Sequence, residues 1–254
     1  LYVELSKMES IRDAHSSLAV IIENPAWRLV EALKTLRNMD GKILIKDWYK
    51  EVDKFTNADL KIIASEPFDE NSFKKEYGIE KFVGNKKGVA IKKALVGEPT
   101  CNIAGFTSGY EGPGAKTVLP SKALVKIDFR LIPKMDPQKQ LSRLKKHLKE
   151  NGFGDIKVRM IHGEAAARTK ISDPFVKTVK KAADDSFGTS IISVSSAGTG
   201  PMFSFVKFLN SPCIAIGSTY VFARIHSTNE FARIDLLKKT TKCMCKIIRN
   251  FSSQ

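Results

Sequence analysis

The sequence has few of the residues on which disulfide scaffolds, membrane spans and secreted proteins depend. Its four cysteines show no disulfide-scaffold spacing, and a reducing, cytoplasmic setting fits them best. The longest apolar runs, at residues 19–22 and 213–217, are far too short to span a bilayer. No charged leader with an apolar stretch and a cleavage site follows Leu1, so no secretory signal is expected. These absences predict a cytoplasmic protein without a membrane segment.

Acidic residues are scarce relative to basic ones. The chain has 42 Lys and Arg against 27 Asp and Glu, which gives a formal net charge of +15. A balance of this kind is compatible with nucleic-acid binding, but the lysines are dispersed and no aromatic side chains are interleaved with them. Phe106 and Phe129 are the only candidates for stacking on a sheet face. We therefore predict a Lys-rich solvated surface, no nucleic-acid partner, and balancing acidic residues on another part of the protein.

What the sequence does contain is enough apolar material for a core, arranged first in a strand and helix order. With 43% apolar residues, disorder is excluded. Four stretches are predicted strands: 1–6, 101–108, 121–132 and 155–162. Asn24-Pro25 and Asp136-Pro137 each place a capping side chain before a proline at the first helical position, which predicts two longer helices. Residues 48–81 are expected to form short charged helices. This is a split β-α-β order, typical of a ferredoxin-like fold with helices on one face of an antiparallel sheet.

A change in composition at residues 163–167 marks the predicted domain boundary, which divides the chain into 1–163 and 164–254. Beyond it, the patterns predict helices at 173–187, 198–209 and 234–251 and strands at 190–194 and 213–217. Two strands are too few for a parallel sheet. The second segment is therefore interpreted as the tail of a larger α/β domain.

Four histidines are few enough to consider one at a time. His147 lies on a Lys-rich helix and is predicted to be a surface side chain. His15 precedes the first helix in a polar turn, and His162 ends the last strand of the first segment. His226 follows the predicted strand 213–217, and ligands collect beyond strand ends in α/β sheets. Taken singly, each is better explained by a structural role than by a role as a ligand or catalyst.

Five motifs that follow one another along the chain are more specific than any single histidine. They are RDAHS at 12–16 with NPA at 24–26, GPGAKTVLP at 112–120, DFRLIP at 128–133 with DP at 136–137, AGTGP at 197–201, and HSTNE at 226–230. Their order and approximate spacing resemble those of the M20 metallopeptidases across essentially the whole chain. This family comprises di-zinc carboxypeptidases, dipeptidases, aminoacylases and deacylases, and the resemblance is strongest to the carnosinase-like dipeptidase branch.

The resemblance implies roles for three residues of the lid motifs. His15 would reach across a homodimer interface and hydrogen-bond the oxyanion in the partner's active site. Thr117 would contact the substrate in the partner subunit. Arg130 would pair with the free carboxylate of the substrate, for which the guanidinium fork is well suited.

The resemblance also implies roles for three residues further along the chain. Thr199 would bond the same end of the substrate as Arg130, and His162 would contact the substrate. His226 would be the last metal ligand, a neutral imidazole on one of the two zinc ions of each active site. The implied substrate is a small peptide or an N-acyl amino acid.

The resemblance therefore implies a ferredoxin-like lid and dimerisation domain, 1–163, followed by an incomplete α/β zinc-peptidase catalytic domain, 164–254. The implied activity is zinc-dependent hydrolysis of a peptide or N-acyl amide bond beside a free carboxylate. The family's other metal ligands and its general-base Glu precede the lid, and no such cluster occurs in this sequence. The chain by itself is expected to be inactive, because one His cannot hold two zinc ions.

Two alternatives remain open from the sequence. The first is a non-catalytic dimerisation or binding module derived from the same family, which would need neither Arg130 nor His226. The second is a basic, RNA-binding domain of ferredoxin-like fold, which would need stacking aromatics on its sheet face.

Overall fold

The computed structural model describes residues 1–198 and 200–252. Its strands are β1 (Tyr2–Met8), β2 (Ala14–His15), β3 (Asn102–Ser108), β4 (Val118–Leu119), β5 (Lys122–Asp128) and β6 (Lys157–His162). Its α-helices are α1 (Pro25–Leu36), α2 (Asn57–Ser65), α3 (Glu70–Tyr77), α4 (Val89–Gly97), α5 (Pro137–Glu150), α6 (Pro174–Phe187), α7 (Met202–Phe208) and α8 (Ile234–Ser252). The protein is thus a mixed α/β protein.

The helices begin where the capping signals predict. The Asn24 side chain accepts a hydrogen bond from the Ala26 N–H, and Pro25 is the first residue of α1. Asp136 accepts from the Lys139 N–H at the start of α5 in the same way. A side-chain acceptor at this position satisfies an N–H group that has no partner within the helix, and proline has no N–H to leave unpaired.

Four strands form one antiparallel sheet in the order β3-β5-β1-β6. The central strands β1 and β5 pair from Tyr2 opposite Asp128 to Met8 opposite Lys122. β2 and β4 form a separate two-stranded sheet, in which His15 lies opposite Val118. The first strand of the chain, β1, thus pairs with two strands that come much later in the sequence, β5 and β6.

The main core lies against the face of the sheet that every second residue of β1 and β5 presents. Val3 and Leu5 of β1 are fully buried, and they belong to the same cluster as side chains of both α1 and α5. Trp48 and Phe129 meet in this core with their ring centroids 4.8 Å apart. Apolar alternation at period two thus meets two amphipathic helices, the arrangement that buries one side of an antiparallel sheet.

The chain divides into two compact units. The first comprises Leu1–Lys54, Val83–Asn85 and Glu98–Ala166, and it contains the whole four-stranded sheet. The second comprises Phe55–Phe82, Lys86–Gly97 and Ala167–Gln254, of which residues 167–198 and 200–252 are described in its last stretch.

The second unit has a small core of its own. Val179, Ala182 and Ala183 of α6 pack against Cys243 and Ile247 of α8. Among the described residues, this cluster includes no strand, because every strand of the structure belongs to the first unit.

Two predicted strands are wrong. Residues 190–194 and 213–217 have apolar, β-branched sequences, but neither forms a strand in the described chain. A strand is defined by its pairing, and the described part of the second unit offers neither segment a neighbouring strand. The helix predicted over 198–209 is also shorter, since α7 covers only Met202–Phe208.

The predicted surface position of His147 is wrong as well. The residue is only 9% exposed, and its Nε2 lies 3.0 Å from the Thr35 hydroxyl of α1. Three residues along α5 from Leu144, it lies next to the apolar face of that helix rather than on its Lys-rich side. Burial therefore lowers the pKa of His147.

None of the helices in the described residues has the length and the apolar character that a bilayer crossing requires.

Candidate active site

His15 and Thr117 lie side by side on the two-stranded sheet. Pairing of β2 with β4 brings the Thr117 hydroxyl to 3.5 Å from His15 Nε2. The Ser16 N–H also donates to the Thr117 carbonyl, which extends the pairing by one step. Both side chains are exposed. The short sheet therefore presents an imidazole and a hydroxyl together to the surroundings.

The hydrogen bonds of His15 define its tautomer. The Ser17 N–H donates to His15 Nδ1 at 3.2 Å, and the Ser17 hydroxyl lies 2.9 Å from the same nitrogen. An Nδ1 atom that accepts a backbone N–H carries no proton, so the proton of the neutral ring is on Nε2. His15 thus presents an N–H donor on the side where Thr117 lies.

Asp13, whose role was not predicted from the sequence, holds this pair in place. Its Oδ1 accepts hydrogen bonds from both the N–H and the hydroxyl of Ser121, each at 2.8 Å. These bonds from Ser121 lower the pKa of Asp13. The contact joins the segment before β2 to the segment between β4 and β5. The carboxylate two residues before His15 was visible as a signal in the RDAHS motif.

Arg130 lies two residues beyond the end of β5. Its Nε donates to Asp128 Oδ2 at 2.9 Å, and the Arg130 side chain is 47% exposed. Its backbone is fixed by two bonds to Thr100, since the Arg130 N–H donates to the Thr100 hydroxyl and the Thr100 N–H donates to the Arg130 carbonyl. A cation is therefore held at a defined position at this end of the sheet.

His162 is the last residue of β6, opposite Tyr2 of β1. Its side chain is 69% exposed, and Nε2 lies 3.9 Å from a Glu164 carboxylate oxygen. Tyr2 also lies opposite Asp128, the residue that binds Arg130. His162, Tyr2 and Asp128 therefore lie in one row across three neighbouring strands, and His162 and Arg130 belong to the same end of the sheet.

The predicted site residues of the first unit form two pairs at opposite ends of the sheet. Arg130 and His162 belong to the end where Tyr2 pairs with Asp128. His15 and Thr117 belong to the other end, beyond the pairing of Met8 with Lys122. A seven-residue strand such as β1 is about 20 Å long. The two pairs of one copy therefore do not meet around one substrate.

His226 lies in a loop of the second unit with unusual backbone geometry. Arg224, His226 and Asn229 have φ angles of 58°, 63° and 61°, in the left-handed region that side chains with a Cβ atom seldom adopt. The loop is closed by two bonds, from the Ser227 N–H to the Arg224 carbonyl and from the Phe231 N–H to the Ala223 carbonyl. Clustered strain of this kind is often found at functional sites. Thr199, the other residue predicted here, lies outside the described residues.

The described residues do not fit a complete metal centre. Within residues 1–198 and 200–252, no group of three or more His, Cys, Asp and Glu side chains is arranged to hold a metal ion. His226 is exposed and contributes a single imidazole. A catalytic zinc ion usually has three protein ligands, and the described residues bring no such set together.

The chain is similar to known proteins in both sequence and structure. Residues 7–155 match the M20 family model described as the peptidase dimerisation domain. The structure resembles the M20 family metallo-carboxypeptidase Sso-CP2 from Sulfolobus solfataricus, with a TM-score of 0.90 and 35% identity, covering 100% of this chain and 58% of that one. Beta-Ala-His dipeptidase of Homo sapiens is 26% identical over 86% of this chain and 44% of its own length. Cys-Gly metallodipeptidase DUG1 of Saccharomyces cerevisiae is 24% identical over 94% of this chain and 51% of its own length.

The chain therefore spans about half the length of the curated relatives it matches.

Proposed function

Because the chain belongs to the M20 family of metallopeptidases, we propose that it is the lid and the C-terminal catalytic part of a zinc-dependent hydrolase. The bond cleaved would be a peptide or N-acyl amide bond beside a free carboxylate. In this proposal residues 1–163 are a ferredoxin-like lid and dimerisation domain, and residues 164–254 complete an α/β catalytic domain. The strand order β3-β5-β1-β6, with α1 following β1 and α5 following β5, supports the ferredoxin-like assignment.

The observation that carries the proposal is the separation of the two residue pairs. His15 and Thr117 at one end of the sheet are too far from Arg130 and His162 at the other for one copy to use all four on a small substrate. A homodimer formed through the lid resolves this, because each active site takes one pair from each subunit. The match to a peptidase dimerisation domain supports the same assembly.

Within such a site the His15 pair would act on the reacting carbonyl. The Nε2–H of His15 is a donor that can bond an oxyanion as the tetrahedral intermediate forms, and this bond is stronger in the transition state than in the ground state. Thr117, 3.5 Å away, would contact the same substrate from the partner lid.

The Arg130 pair would hold the other end of the substrate. The guanidinium of Arg130, fixed by Asp128 through Nε, would bind the free carboxylate, and the exposed His162 would contact the substrate beside it. Thr199 would bond the same end. The relatives named as dipeptidases for Beta-Ala-His and Cys-Gly favour a dipeptide as the substrate, with an N-acyl amino acid as the other possibility.

The described residues do not provide enough ligands to bind the metal ions by themselves. His226 would be one ligand, and the other ligands and the general base would come from a part of the protein beyond these 254 residues. The 254-residue chain alone is therefore expected to hydrolyse nothing. If the complete protein has no activity either, the chain is instead a non-catalytic dimerisation module, which the incomplete metal set favours as the second candidate. The cytoplasmic location indicated by the free thiols belongs to the same proposal.

Mixed dimers of two inactive variants test the proposal in the complete protein. His15→Ala and Arg130→Ala should each abolish dipeptide hydrolysis, with His15→Ala lowering kcat far more than KM. When the two variants are unfolded together and refolded, half of the dimers combine one subunit of each kind. Each such dimer has one site with both original residues, so about a quarter of the original activity should return.

Two results would contradict the proposal. If mixed dimers stay inactive while gel filtration shows that they form, the two pairs do not meet across the interface. If both variants keep full activity, neither residue acts in the reaction. The exposed Lys126→Ala of β5 is the matched control and should retain activity alone.

A further inference from the structure

We infer that Ser17 is a positioning residue for His15, because both its backbone N–H and its hydroxyl meet one nitrogen of the imidazole ring. These two contacts hold the ring in the orientation in which Nε2 carries the proton and faces Thr117. The inference deepens the proposed function, since it rests on the role of His15 in the reaction.

His15 lies at a change of backbone conformation. It is the last residue of β2, and Ser16–Val20 after it form a short 3₁₀-helix. His15 itself is extended, with φ −69° and ψ 138°, so its side chain lies beside the free N–H groups of the first turn. Nδ1 accepts one of them, that of Ser17, at 3.2 Å. The imidazole thus takes the place that a Ser, Asp or Asn side chain usually takes before a helix.

The two groups of Ser17 contribute differently. A backbone N–H can only donate, so it disfavours the tautomer with a proton on Nδ1, which would place two N–H groups against each other. The Ser17 hydroxyl, 2.9 Å from the same nitrogen, can rotate and donates to Nδ1 as a second donor. Removal of the hydroxyl alone therefore leaves only the longer of the two contacts to hold the ring.

The backbone of His15 is held by separate contacts. His15 lies opposite Val118 in the pairing of β2 with β4, and the next N–H along the chain, that of Ser16, donates to the Thr117 carbonyl at 3.1 Å. Successive N–H groups thus have different tasks, since that of Ser16 fixes the main chain and that of Ser17 fixes the ring. Together they determine the position of Nε2.

The proton on Nε2 remains available for a substrate. Its neighbour is the Thr117 hydroxyl at 3.5 Å, a distance longer than the range of about 2.7–3.2 Å for ordinary N–H···O bonds. An oxygen with a negative charge is a better acceptor than this distant hydroxyl. A ring held by Ser17 therefore presents a donor that an oxyanion can take up without rotation of the side chain.

The exposure of His15 makes such a contact important. An exposed side chain can adopt several rotamers, and one that must reach a neighbouring active site acts better when it is already held in one of them. Ordering one side chain during the reaction costs a factor of about two to ten. The contacts of Ser17 are made beforehand and remove that cost, so we expect them to affect kcat rather than KM.

Nitrogen-15 spectra of the histidine rings test the inference on the 254-residue chain. At pH 8.5, where histidine rings are neutral, the two ring nitrogens differ widely in chemical shift when one tautomer predominates. His15→Gln identifies the signals of His15. We expect the Nε2–H tautomer in the original chain and, in Ser17→Ala, a rise of the other tautomer by about two- to tenfold. Ser17→Thr keeps a hydroxyl and should retain the original spectrum.

The exposed neighbouring serine provides the matched control. Ser16→Ala should leave the ring signals of His15 unchanged. Circular dichroism checks that each variant keeps its helices. An unchanged spectrum in Ser17→Ala, or an equal change in Ser16→Ala, overturns the inference.

Kinetics of the complete protein separate this inference from the proposed function. Ser17→Ala should lower kcat for a dipeptide about two- to tenfold with KM unchanged, and Ser17→Thr should restore kcat. If His15→Ala abolishes hydrolysis while Ser17→Ala keeps the original kcat, the inference is overturned and the proposed function stands. If His15→Ala keeps full activity, the proposed function is contradicted, and the ring spectra alone decide whether Ser17 holds the imidazole.

Discussion

Burial gives His147 a measurable effect on the pH dependence of stability. The residue lies beside Thr35, and burial lowers its pKa from the usual 6.5. As the pH falls below about 6.5, the unfolded chain takes up a proton at this position before the folded chain does. The contribution of His147 to the free energy of unfolding should therefore be complete above this pH range and should be lost as the pH falls through it.

Urea unfolding at pH 7.5 and pH 5.5 measures this contribution. His147→Gln should reduce the difference in unfolding free energy between the two pH values, because glutamine does not titrate. Lys146→Gln, an exposed neighbour on the same helix, is the control and should leave the difference unchanged. A difference equally large in His147→Gln would show that other groups produce the pH dependence.

At the scale of the element, α5 is fastened to the segment before α2 by a buried amide. The Gln140 side chain is fully buried, donates to the Trp48 carbonyl at 3.0 Å, and accepts from Arg143 at 2.9 Å. Arg143 in turn binds both carboxylate oxygens of Glu51. Bonds that satisfy buried groups cost more when lost than they contribute when formed.

Gln140→Leu should therefore lower the free energy of unfolding by about 1–3 kcal/mol, since the Trp48 carbonyl loses its donor. The exposed Gln138→Leu on the same helix is the matched control, with an expected change within about 0.5 kcal/mol. Chemical denaturation of both variants gives the comparison. Equal effects at the two positions would mean that the buried amide contributes nothing special.

Elements could be predicted from the sequence where their determinants are local. Asn24-Pro25 and Asp136-Pro137 predicted the starts of α1 and α5, because capping depends on residues only two or three positions apart. Alternation predicted β1 and β5. The segments 190–194 and 213–217 have equally good strand sequences, yet they form no strands, since pairing depends on a neighbour that local sequence does not specify.

The candidate site was predictable in composition but not in arrangement. The motifs around His15 and Arg130 indicated which residue types matter. Their placement at opposite ends of the sheet depends on the antiparallel pairing of β5 with β1. The paired residues of these two strands lie more than one hundred positions apart in the chain. Likewise, the motif contained Asp13, but only the structure shows its bonds to Ser121.

At the scale of the whole molecule, the two units differ in how much apolar surface they bury. Among the described residues, the core of the first unit has twenty buried apolar side chains and that of the second has five. Burial of apolar side chains is the main favourable contribution to folding. The second unit should therefore unfold at a lower urea concentration than the first.

Two thiols and one indole report on the units separately. Cys243 is buried in the second unit, while Trp48 and Cys101 belong to the first, where burial raises the pKa of the Cys101 thiol to about 11. A chain carrying Cys213→Ser and Cys245→Ser retains only these two cysteines. With rising urea, a thiol reagent should label Cys243 first, and labelling of Cys101 should follow together with the red shift of tryptophan fluorescence. One shared transition for all three probes would show that the chain unfolds as a single cooperative unit.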